Sequence, residues 1–145
     1  MWEDTLYKLS KKCQLEKFDS VKELDLKGLE DKLKVGLPSE LKDLLKLSNG
    51  LEINRTMLVR SVKDIEGDNE ELRSNERIVN SFMSFDSLFF FGVAGNGNLF
   101  AYGIIKGEIK KTDIFVWDHE NDSRTWVAPS LTKLLEWWVE GKITV

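Results

Sequence analysis

Leu37-Pro38-Ser39-Glu40-Leu41-Lys42-Asp43-Leu44-Leu45-Lys46-Leu47-Ser48-Asn49-Gly50 sets the frame of this chain. Pro38 has a fixed φ and no N–H, so it opens a helix more readily than it continues one. Ser39 caps that helix or sits in its first turn. Leu41, Leu44, Leu45 and Leu47 give it one apolar face. Asn49-Gly50 then stops it, because both residues tolerate the left-handed backbone that helix ends favour.

Upstream, Leu26, Leu29, Leu33 and Leu37 continue the leucine stripe into a preceding helix, with Asp25 as candidate cap and Gly36 at its end. Earlier still, Trp2, Leu6, Leu9 and Cys13 share one helical face, with Glu3, Lys8, Lys11 and Lys12 off it. Downstream the material changes. Met57–Val62 reads as a strand, Asp64–Glu71 as an acidic loop, and Glu70–Glu76 as a possible short helix. Of the 15 aromatic residues, 12 lie from Phe82 onward, which places the sheet and most of the core there. Leu88–Gly92 and Leu99–Ile104 form a hairpin around Gly95-Asn96-Gly97-Asn98. Ile114–Trp117 and Arg124–Val127 add strands. Ser130 caps a last helix whose face is Leu131, Leu134, Leu135 and Trp138, closed by Gly141. No linker or repeat interrupts the chain. Helices, then strands, then a helix is the order of an α+β domain, here a single one over residues 1–145, with a mainly antiparallel or mixed sheet of four or more strands flanked by helices at both ends.

Composition narrows the function. At 145 residues a globular chain buries roughly 68–70% of its unfolded surface, enough for one sizeable core. Cys13 and His119 are the sole members of their types, so neither an internal disulfide nor a Cys/His zinc site is expected. A reducing compartment follows, and with no leader pattern after Met1 and no long apolar run, the expected location is the cytoplasm. The sequons at Asn54 and Asn121 are then without meaning. The net charge of −4 argues against nucleic acid as partner. Asp64, Glu66, Asp68, Glu70 and Glu71 stand without a base among them, leaving 20 acids against 21 bases elsewhere.

No catalytic constellation is visible. Asp118-His119-Glu120-Asn121-Asp122 gathers metal-capable groups after a strand, yet a calcium loop counted from Asp118 would have Ser123 and Pro129 where glycine and a carboxylate belong. A solvated turn is the simpler reading. His119 lacks the partners of a general base, and Cys13 lies on an apolar helix face. Gly92, Gly95 and Gly97 do not have nucleotide-loop spacing, and a strand follows them instead of a helix. Trp138 belongs to the core face of the last helix, with Trp137 beside it and partly exposed. The run Asp64–Glu71 is either a solvated loop or a surface that steers a basic partner.

Four pieces together resemble the SUKH superfamily, which includes fungal cell-wall-synthesis regulators and bacterial immunity proteins. They are Leu37-Pro38 with Leu41, Leu44, Leu45 and Asn49-Gly50; Leu88–Gly92 with Gly95, Gly97 and Phe100-Ala101-Tyr102; Val116-Trp117-Asp118-His119-Glu120; and Ser130-Leu131 through Leu134, Leu135 and Trp138 to Gly141. Gly103 departs from the resemblance, standing where many members carry aspartate, and 52–85 aligns with nothing in it. The resemblance implies an α+β fold, no catalysis, no cofactor, and the binding of a protein partner. In bacterial members that partner is a cognate toxin, often a nuclease. The expected contacts are then Asp64, Glu66, Asp68, Glu70, Glu71, Asp118, Glu120, Asp122 and Trp137. Two other readings stay open, a regulatory scaffold in a signalling or cell-envelope pathway and a metal or small-molecule binder at Asp118–Asp122.

Overall fold

The computed structural model describes residues 1–145. Its first third is helical: α1 (Trp2–Ser10), a short strand β1 (Leu15–Lys17), α2 (Glu23–Leu33) and α3 (Ser39–Leu47). Leu41, Leu44 and Leu45 of α3 are wholly buried, as their spacing requires. The punctuation differs in detail from expectation. Helix α2 starts after Lys22 without a side-chain cap, Asp25 lies inside its first turn, and it ends at Lys34 in the left-handed conformation, before Gly36. Leu37 is buried in the connection that follows. Pro38 is the N-cap residue of α3, and neither it nor Ser39 supplies a capping bond.

The end of α3 ties three segments together. Ser48 accepts from Phe18 N at 2.8 Å and donates to Gly50 O at 2.6 Å, and Asn49 Oδ1 accepts from Val62 N at 2.9 Å. From Gly50, with φ of 101°, the chain enters β2 (Leu51–Ile53), turns at Asn54-Arg55 and returns as β3 (Thr56–Val59). Strands β1, β2 and β3 form an antiparallel sheet. Neither β1 nor β2 was expected from sequence, because three residues are too few to show an alternation.

The acidic run is not a loop. Residues Val62–Ser74 form α4, followed by α5 (Glu76–Ser81). Ile65, Asn69 and Leu72 recur at four and three residues and are the buried stripe, so the acids occupy the remaining faces. The expected strand over 57–62 stops at Val59 because Ser61 caps α4, accepting from Asp64 N at 3.2 Å.

The second sheet is antiparallel, in the order β4 (Leu88–Val93), β5 (Leu99–Gly103), β6 (Ile114–Trp117), β7 (Arg124–Ala128). One face carries Phe89, Phe91, Phe100, Tyr102, Ile114 and Val116 into the main core with the leucines of α2, α3 and α6 (Leu131–Val139). The opposite face carries Phe90, Leu88 and Trp117 into a smaller cluster with Phe85 and Leu72. Trp138 is half-buried, its ring edge-on to Phe100 at 6.0 Å. The two sheets meet where Arg60 N donates to Phe91 O at 2.8 Å. Phe91 is the extra residue of a β-bulge. The next residue must be glycine, since a Cβ on Gly92 would lie 1.8 Å from Leu58 O. The whole is α+β, six helices with two antiparallel sheets.

Candidate partner-binding surfaces

Helix α4 covers the outer edge of β4, which no strand pairs. A bare edge would leave backbone groups unsatisfied. The helix supplies the missing partners with side chains. Asn69, fully buried, accepts from Phe90 N at 2.9 Å and donates to Phe90 O at 2.8 Å and Ile65 O at 2.7 Å. Arg73 donates to Leu88 O at 2.9 Å. The carboxamide of Asn69 thus takes the place of a strand.

The acids of α4 divide by what they touch. Asp68 receives a two-pronged bond from Arg60 at 3.0 and 3.1 Å, and Glu66 meets Lys32 at 3.3 Å. Glu71 accepts from the Asn75 amide at 2.6 Å. Asp64 and Glu70 are exposed and in no ion pair. The outward surface therefore consists of Asp64, Glu70 and Glu71 around Gly67, with Lys63 at one end.

The Asp118–Asp122 turn is bound up with its own backbone. Asp118 Oδ1 accepts from Glu120 N at 2.9 Å, and Asp122 N donates to Asp118 O at 2.8 Å. Asp122 accepts from Met83 N at 2.9 Å, Trp117 Nε1 at 2.8 Å and Arg124 at 3.0 Å. Burial pushes the Asp122 carboxyl up, but these three donors outweigh it and hold it below the ordinary aspartate value. Arg124 also donates to Ser84 O and Met83 O, so the pair clamps the segment after α5 onto the sheet. No three His, Cys, Asp or Glu side chains come together as a metal-binding group would. Glu120 alone of the turn's acids is exposed.

His119 reaches across to the other hairpin, its Nδ1 2.7 Å from Asn98 Oδ1. Its ring lies over Gly97, where a Cβ would come within 2.6 Å of Cε1. The glycine turn is therefore shaped around an imidazole. Cys13 donates its thiol to Leu9 O at 3.2 Å, and burial pushes its pKa up, away from thiolate reactivity. Trp137, on α6, is half-buried against Trp126, with ring centroids 6.3 Å apart. The expected contacts thus lie on three separate elements, and no hydrogen bond joins the acids of α4 to those of the 118–122 turn.

Sequence reasoning passed over Glu40. Its Oε2 accepts from Tyr102 Oη at 2.7 Å and from Leu131 N at 2.9 Å, while its backbone oxygen accepts from Trp2 Nε1 at 2.9 Å. One residue of α3 therefore links α1, β5 and α6. The SUKH_6 family model, described as SMI1-KNR4 cell-wall, matches residues 23–135, from the first residue of α2 into α6. The chain belongs to the SUKH family. The matched span runs from the helices through both sheets, 52–85 included, and leaves α1 and β1 outside. No curated protein matches the chain significantly. Membership of a SUKH family is consistent with a protein-binding role, immunity or regulatory, and no helix here is long and apolar enough to cross a membrane.

Proposed function

We propose that this SUKH chain is a cytoplasmic, non-enzymatic immunity protein that binds a cognate toxin with a basic surface, such as a nuclease, and blocks it by occlusion. The observation that carries the reading is the acidic face of α4, presented by a helix fastened to a strand edge through Asn69 and Arg73. A surface held this way meets its partner with little ordering cost. Clustered carboxylates raise the association rate with a basic partner and disfavour other acidic ones. Asp64, Glu70 and Glu71 are the contacts, with Glu66 and Asp68 fixing the surroundings through Lys32 and Arg60. Glu120 and Trp137 lie on other elements and would extend the contact area, while Asp118 and Asp122 shape the turn that carries Glu120.

Co-expression with the product of any toxin gene found beside this one tests the proposal. Protection by the wild-type chain and its loss in the Asp64→Lys, Glu70→Lys, Glu71→Lys variant, with unchanged thermal stability, are expected. Continued killing despite a stable complex would refute occlusion. The family description, SMI1-KNR4 cell-wall, favours one alternative, a regulatory scaffold in a signalling or cell-envelope pathway. A pull-down that recovers envelope-pathway proteins and no toxin would establish that alternative instead.

A further inference from the structure

The outer face of the second sheet is covered only in part. Phe82 and Phe85 pack on Trp117, and Phe85 also on Phe90. One row of cross-strand neighbours, Phe90, Ala101, Phe115 and Trp126, runs out from under that cover. Its last two members reach the surface, Phe115 half-buried and Trp126 47% exposed. Beside them a depression of about 390 Å³ lies over Leu88, Gly103 and Phe115. Position 103, which has no side chain, lines it, and a Cβ there would stand in ordinary contact with the Phe115 ring, at 3.6 Å. Ile105, 54% exposed, forms part of its rim.

The charge of this rim is opposite to that of α4. Lys110 and Lys111 line it and are exposed. Lys110 reaches Glu108 only at 3.8 Å, and Lys111 is in no ion pair. Asp113, the acid of the rim, accepts from Trp126 Nε1 at 2.9 Å and fixes the indole at the edge of the face. Exposed aromatic and branched side chains around a hollow, with two exposed ammonium groups beside it of which Lys111 is unpaired, have the anatomy of a recognition surface.

We propose that this face is a second docking surface, taking an acidic segment of a partner protein that seats one aromatic or branched apolar side chain over Leu88 and Phe115. Carboxylates flanking that side chain pair with Lys110 and Lys111. Charge complementarity selects the occupant: a basic segment is drawn to α4 and repelled here. The continuation of the apolar surface beyond the hollow to Trp126 and Ile105 favours a protein segment over a small molecule. The surface is independent of the toxin reading of α4.

The test uses a capped peptide with one central phenylalanine flanked by carboxylates on both sides, followed by amide NMR shifts and fluorescence anisotropy at low salt. Saturable shifts at Gly103, Lys111 and the Trp126 indole N–H are expected. Affinity should fall at least about tenfold in the Lys110→Glu, Lys111→Glu variant, while the α4 charge-reversal variant binds as wild type. Comparable binding of a lysine-flanked peptide, shifts centred on α4, or no saturation at millimolar peptide would overturn the proposal. Equal affinity for phenylacetate alone would also overturn it, since the hollow would then be a small-carboxylate site.

Discussion

Asn69 is the residue whose replacement tests most directly how the acidic helix is held. Its side chain is fully buried and makes three hydrogen bonds, two of them to the backbone N–H and C=O of Phe90. Truncation to alanine leaves both of those groups buried without partners. Each such group costs about 1–3 kcal/mol, so Asn69→Ala should lose about 2–6 kcal/mol. That is a large share of the roughly 5–15 kcal/mol available to a domain, yet the variant should still fold. Its melting temperature should fall by about 6–18 °C. Urea unfolding should show a lower midpoint at unchanged m, and the Phe90 amide should lose hydrogen-exchange protection before the rest of β4. Asn69→Leu separates the two explanations for such a loss. Leucine refills the volume but bonds to neither backbone group, so it should be at least as destabilising as alanine. If leucine restores stability to within about 0.5 kcal/mol of wild type, packing and not edge satisfaction holds α4, and the reasoning fails.

Further outcomes follow from the surroundings of four other residues. Glu40→Ala strips acceptors from the buried Tyr102 hydroxyl and from Leu131 N and should cost about 2–4 kcal/mol, whereas Glu40→Gln keeps an acceptor oxygen and should cost under about 1. Burial raises the Glu40 carboxyl pKa despite these two donors, so the folded chain binds this proton more tightly than the unfolded one. Wild-type stability should then fall as pH rises from the ordinary glutamate value through the raised one, a slope that pH-resolved urea titrations should find absent in Glu40→Gln. Gly92→Ala drives a Cβ into the Leu58 carbonyl and should cost about 3 kcal/mol or more, read as lost soluble expression or a lowered midpoint. Gly67→Ala meets nothing within 4 Å on an exposed helix face and should stabilise by about 0.5–1 kcal/mol in thermal unfolding. Asp122 is held below the usual aspartate range, so its contribution is present above that range and lost as pH falls through the lowered value. Below it, proteolysis should open the 82–85 segment first, and Asp122→Asn should remove that pH dependence.

The α+β class, the hairpin of β4 and β5, and the capped final helix were legible because each rests on a local pattern: an aromatic run, a glycine turn, a serine before a helical leucine stripe. What escaped was set by distant partners. The acidic run read as a loop because its buried stripe is Ile65, Asn69 and Leu72, and an asparagine interrupts the apolar period. Only the unpaired edge of β4 explains why an amide belongs there. The pattern of a capping serine at Ser61 with Asp64 three residues on could have signalled the helix. Glu40 looked like one more charge on an amphipathic helix, although Tyr102 and Leu131, 62 and 91 residues away, are its reason for being there. At Asp118–Asp122 the short polar residues do form a turn, and their side chains satisfy its own backbone and the loop beside it.

The same placement of α4 bears on how the chain would recognise a partner. A four-stranded antiparallel sheet has two edges, and here they are treated differently. The β4 edge is closed by Asn69, Arg73 and the backbone of Arg60, while β7 has no strand beyond it. Closing an edge with helix side chains fixes that helix in register with the strand, because moving it by one turn would strand both groups of Phe90. The acids on its outer face therefore inherit the rigidity of the sheet. For the proposed occlusion this would matter more than the number of charges: a basic partner would meet carboxylates already in place, whereas the same acids on a mobile loop would lose much of that attraction to ordering. The distinction is measurable. Asn69→Ala leaves every exposed carboxylate of α4 intact, so if rigidity is what the partner exploits, this variant should weaken binding through faster dissociation with an unchanged salt dependence of association. If charge alone suffices, binding kinetics should match wild type at any temperature where both are folded.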